Sequence, residues 1–110
     1  MLVPRTEIPP GTLDMMILKT LERGAMHGYG IAQRIKQLSD EVFEVEEGSL
    51  YPALQRMLIK GWVKGEWRPS ENNRRSRYYW LTASGKKQLG TELSEFARVM
   101  QAIKQVIQTA

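Results

Sequence analysis

Arg74, Arg75 and Arg77 stand within four residues, and Glu71 is the nearest acid before them. Guanidinium groups this close together, on a turn, can grip phosphate oxygens from more than one side. A second set lies upstream at helical spacing: Tyr51, Gln55, Arg56, Ile59 and Lys60. Gln and Arg can bond bidentately to adenine and guanine edges, and Tyr51 and Lys60 suit phosphates. Each set has a plainer reading. A helix face can simply be solvated, and an arginine run can keep an edge hairpin from pairing with a neighbour. Side by side on adjoining elements, the two sets favour nucleic acid, with Asn73 between strand and arginines as a further contact.

The element that carries the second set is EGSLYPALQRMLIKG, residues 47–61. Leu50, Leu54, Met57 and Leu58 recur at helical spacing, which predicts an amphipathic helix with these four inward. Ser49 is expected as its N-cap, Pro52 in its first turn and Gly61 just past its end. A hairpin follows. Val63, Gly65 and Trp67 alternate toward one face, Tyr79 and Leu81 return on the same face, and PSENNRR forms the turn, where Asn72 and Asn73 tolerate left-handed backbone. Helix followed directly by basic hairpin is the order of a winged helix-turn-helix.

Two shorter helices are predicted before this unit. Thr12 caps the first, which carries Leu13, Met16, Ile17 and Leu21 and ends at Gly24. His27-Gly28-Tyr29-Gly30 opens the second, with Ile31, Ile35 and Leu38 inward and Ser39-Asp40 closing it. After the hairpin, Thr82 caps a long helix in which Gly85 and Gly90 are weak points. Leu89, Leu93, Phe96, Met100, Ile103 and Ile107 step along it by four and three, the pattern of a helix pair. The expected class is mainly α with a small β-hairpin, α+β. Its parts are a Pro-rich arm at 1–11, a winged helix-turn-helix at 12–82 and a C-terminal dimerisation helix at 83–110.

Composition narrows the function. The 110 residues carry a net charge of +4, sorted by position. Asp40, Glu41, Glu44, Glu46 and Glu47 form an acidic run, whereas Lys64, Arg68 and the three turn arginines make the hairpin cationic. A clustered cationic patch attracts phosphate backbones. There is no cysteine, which excludes disulfides and thiolate metal sites and fits a reducing cytoplasm. No apolar run reaches membrane-spanning length, and MLVPRTEIPPG has no signal-like apolar core. No nucleophile–base pair, phosphate loop or metal spacing is present, so neither an enzyme nor a cofactor is expected. His27, the only histidine, has no ligand partners at metal spacing. It is expected to shape the turn or touch a phosphate.

Four motifs together resemble the PadR-type bacterial transcriptional regulators: GTLDMMILKTL, HGYGIAQRI, EEGSLYPALQRMLIKGW and RRSRYYWLTASGKKQL, spanning roughly residues 11–89. The single helix after the wing is similar to the small subfamily. The resemblance implies a homodimeric repressor of adjacent genes that binds a pseudo-palindromic operator in double-stranded DNA. It implies contacts from Tyr29, Ser49, Tyr51, Pro52 and the wing arginines. It also implies a planar aromatic effector near Phe96 and Met100, between paired C-terminal helices. The chain departs from many members at Asn72-Asn73, where they carry a Gly-Pro or similar turn, and it has no tryptophan in the last helix. The alternative reading is a winged-helix adaptor for protein partners without specific DNA binding.

Overall fold

A computed structural model describes residues 6–69, 72 and 74–109. The chain runs α1 (Leu13–Leu21), β1 (Met26–His27), α2 (Gly28–Leu38), α3 (Glu47–Lys60), β2 (Val63–Pro69), β3 (Arg75–Leu81) and α4 (Ala83–Thr109). The three strands form one antiparallel sheet in the order β1-β3-β2. This is the α+β winged-helix architecture expected from the sequence, with one strand more. β1 has only two residues, pairing Met26 with Tyr79 and His27 with Tyr78. A segment that short carries no alternation to read.

One core ties the elements together. Ile17, Leu18 and Leu21 of α1 meet Ile31 and Ile35 of α2, and Leu50, Leu54 and Met57 of α3 close over them. Val63, Tyr79 and Leu81 seal the sheet side, and Leu89 joins from α4. Leu38, expected inward, is exposed at the end of α2. In the hairpin, Val63 pairs with Leu81 and Gly65 with Tyr79. Those four share the core-facing side, as the alternation requires.

The helix ends differ from expectation in instructive ways. Thr12 stands at the N-cap of α1, but its hydroxyl donates to the carbonyl of Pro9 at 2.7 Å and caps nothing. Helix α3 starts two residues before Ser49, because the amides of both Ser49 and Leu50 already bond to the carbonyl of Glu46. Ser49 is therefore its third residue, Glu46 is the N-cap, and Pro52 falls in the second turn. The carbonyl that Pro52 leaves without a donor belongs to Gly48, which is exposed to water. At the other end Gly61 adopts φ +77°. Its amide bonds to Leu58 at 3.1 Å and that of Trp62 to Met57 at 3.0 Å, a double-bonded stop that turns the chain into β2.

Thr82 locks this corner to α4. Its hydroxyl donates to the carbonyl of Gly61 at 2.6 Å and accepts from the amide of Gly85 at 3.0 Å. Gly85 is no weak point. A Cβ there would stand 1.9 Å from the carbonyl oxygen of Trp62, so only glycine lets α4 lie so close. Beyond Leu89 the helix leaves the core, and no described residue after it is buried. Among the described residues, no helix is long and apolar enough to cross a membrane.

Candidate functional site

The outward side of α3 and the inward side of the wing enclose a cleft of about 340 Å³. Tyr51 and Gln55 line it from α3, Tyr29 from α2, and Trp67, Arg75 and Arg77 from the strands. Each is placed by a local feature. Tyr51 projects because Gly28 gives it room, as a Cβ on Gly28 would come within 2.9 Å of the tyrosine ring. Tyr29 is held by α2, whose first turn is capped by His27. The imidazole Nδ1 accepts the amide of Gly30 at 2.9 Å, and the ring packs edge-on to Tyr78 at 5.4 Å. The solitary histidine is thus a cap that shapes the turn, and its flank lines the cleft. Gln33 donates to the Tyr29 hydroxyl at 2.5 Å, which steadies a side chain that is 67% exposed.

Arg77 is the most constrained of the cations. It sits opposite Trp67 on the paired strand, with its guanidinium 5.8 Å from the ring centre of Tyr79. Gly65 admits it, since a Cβ there would stand 2.8 Å from Arg77 Nε. That Nε is buried and has no hydrogen-bond partner. Burial raises the Tyr79 phenol above its usual pKa, an effect the neighbouring Arg77 charge partly offsets, so Tyr79 stays neutral. Arg75 is exposed on the same rim, and Arg74 is exposed beside it. Asn73 lies outside the described residues, while Asn72 takes the left-handed backbone expected of the turn, φ +68°.

Tyr29 and Tyr51 also border a second depression of about 450 Å³, lined by Lys36, Glu44, Glu46 and Glu47. The two tyrosines therefore divide an acidic hollow from a basic cleft. A polyanion is repelled on one side of that wall and drawn in on the other.

Arg56, Lys60 and Arg68 are turned elsewhere. Arg56 reaches back to α1 and pairs with Asp14 at 2.9 Å. Lys60 lies 4.6 Å from the ring centre of Trp62. Arg68 pairs with Glu66 at 2.8 Å and covers the rings of Tyr78 and Trp80 on the far side of the hairpin. Tyr78 and Trp80 accordingly serve the hairpin itself. Ser49 and Pro52 are exposed near the start of α3.

A family model for PadR-like transcriptional regulators matches residues 17–91. This chain belongs to the PadR-like family of transcriptional regulators. Solved structures agree. A transcriptional regulator from Clostridium thermocellum is 29% identical with a TM-score of 0.80, covering 86% of this chain and 92% of that one. A PadR family regulator from hypervirulent Clostridium difficile is 30% identical with a TM-score of 0.75, covering 88% and 99%. Bacillus subtilis PadR, solved in complex with operator DNA, is 26% identical with a TM-score of 0.68, covering 78% of this chain and 48% of that one.

In this PadR-family chain the C-terminal seam is split. Leu89 is 2% exposed and belongs to the protomer's own core, so it is not available to a partner. Leu93, Phe96, Ile103 and Ile107 are exposed, and Met100 is half-buried. Phe96 borders a depression of about 270 Å³ with Thr12, Met15 and Val99, and Met100 does not line it. Val99 and Val106 widen the apolar stripe and were missed by the four-three stepping. Each follows a seam residue by three, which places it on the same side of the helix. Trp67 is a further cleft residue. Its alternation predicts a core-facing side chain, and it does face that way, but past the edge of the core.

Proposed function

We propose that this PadR-family chain is a homodimeric, sequence-specific DNA-binding repressor of adjacent genes, acting in the cytoplasm. Helix α3 enters the major groove and the wing, residues 68–77, lies along the neighbouring minor groove. The observation that carries this reading is the cleft in which Tyr29, Tyr51, Arg75 and Arg77 converge beside an outward-facing Gln55. Tyrosine hydroxyls and guanidinium groups hold phosphates there, and Gln55 is left for a base edge. The operator complex of Bacillus subtilis PadR supports the reading by likeness. Ser49 and Pro52 extend the contact along α3, and Arg56 and Lys60 can join it by releasing Asp14 and the ring of Trp62. Two protomers joined through α4 present two such surfaces, so the operator is pseudo-palindromic with half-sites about 10 bp, or a multiple of it, apart. A planar aromatic effector acts at the Phe96 depression.

The test is the salt dependence of binding. Wild type should bind duplex DNA with a steep loss of affinity as salt rises. Arg75→Ala should weaken binding to all sequences and lower the slope of log K against log salt by about 1 for each wing engaged. An unchanged slope removes the wing from the phosphate contacts. Weak retention on DNA that no selected sequence improves supports the adaptor reading instead.

A further inference from the structure

Helix α3 has an outward ridge with one residue from each successive turn: Gly48, Pro52, Gln55 and Ile59. None of the four is charged. The charged and phenolic side chains stand on its flanks, with Tyr51 toward the wing cleft and Arg56 toward Asp14 of α1. Gly48 has open space where a side chain would be, so the ridge is low at its start. Ile59 is 84% exposed, the most exposed large apolar side chain among the described residues. An uncharged ridge between phosphate-seeking flanks suits the floor of a groove, where base edges rather than phosphates are met. Its chemistry is then specific. Gln55 supplies one donor–acceptor pair, which fits the N6/N7 edge of adenine, and Ile59 supplies only methyl and methylene surface. The apolar group in the major groove is the 5-methyl of thymine.

We infer that Ile59 is a specificity-determining residue that packs on a thymine methyl in each half-site, with Gln55 on an adenine nearby. This rests on the DNA-binding reading above. Four residues of helix rise about 6 Å, close to two base steps of about 3.4 Å for a helix lying along the groove. The thymine should therefore fall within about two base pairs of the adenine that Gln55 contacts.

The experiment uses a duplex recovered by selection from a random pool with the full-length protein. Each thymine in one half-site is replaced in turn by uracil, which removes the methyl and leaves the pairing intact. Wild type should bind about three- to fivefold more weakly at one such position, the effect of uncovering one methyl-sized group. Ile59→Ala should bind the thymine and uracil duplexes equally. Gln55→Ala should lose discrimination at a base pair within two of that position yet keep the uracil effect. Because Ile59 touches no core, circular dichroism of Ile59→Ala should be that of wild type. Indifference of wild type to uracil at every thymine overturns the inference, as does an Ile59→Ala protein that still prefers thymine. Failure to recover any preferred duplex overturns the DNA-binding reading itself, a distinct result.

Discussion

Arg56 looks like a base reader when only its type and position on α3 are considered, yet the fold hands it to Asp14. The pair links α3 to α1 at 2.9 Å with the arginine half-exposed, a setting in which an ion pair is worth less than about 1 kcal/mol. It orients the side chain more than it stabilises the fold. Asp14→Asn should therefore cost under about 1 kcal/mol in urea unfolding. The freed guanidinium should at the same time tighten binding to random-sequence duplex at low salt. If stability is kept and affinity does not move, Arg56 makes no DNA contact even when released. Asp14 is a first-turn acid of α1. That it faces a residue 42 positions away was not legible in the sequence, because such a pairing depends on how two helices cross.

Among elements, α4 contains the clearest contrast between local and tertiary reasoning. Gly85 and Gly90 are equivalent by helix propensity, each costing about 1 kcal/mol relative to alanine. Their surroundings differ. A Cβ on Gly90 meets open space, whereas one on Gly85 would collide with the backbone of Trp62. Gly90→Ala should raise stability by up to about 1 kcal/mol. Gly85→Ala should lower it by about 1–3 kcal/mol or more, because backbone cannot swing aside as a side chain can. Equilibrium unfolding of the two variants checks this, and equal shifts would mean that α4 does not lie against Trp62 as described. The start of α3 offers a parallel. Ser49 and Pro52 suggest a helix beginning near 49, yet Glu46 takes the first bonds.

At the scale of the molecule, α4 is a 27-residue helix with only Gly85 and Leu89 buried. Leu93, Phe96, Val99, Ile103, Val106 and Ile107 leave an apolar stripe along it. The stripe is wider than a strict two-position seam, and a face of that width is buried by packing on another helical surface. The proposed homodimer supplies one. Phe96→Asp should yield monomers in sedimentation experiments, and operator affinity should fall steeply because each monomer grips one half-site, while the protomer fold survives since Phe96 lies outside the core. Leu89→Asp should instead unfold the protomer, because Leu89 is part of that core. A wild-type monomer would overturn the assembly, and with it the paired half-sites.

Local pattern determined the four helices, the hairpin, the cationic turn and which hairpin residues face the core. Apolar spacing, a glycine at φ +77° and strand alternation act over a few residues, and they are written in the chain directly. The order of helix and basic hairpin carried the winged-helix class for the same reason, and the four motifs carried the PadR resemblance. Tertiary structure alone decided which of the candidate residues share a surface. It gathered Tyr29, Tyr51, Arg75 and Arg77 around one cleft, turned Arg56 toward Asp14 and drew Leu89 into the core. It also recruited Met26 and His27 as a third strand. Each of these outcomes depends on the angle and distance between elements far apart in sequence, which are set by how the whole core packs.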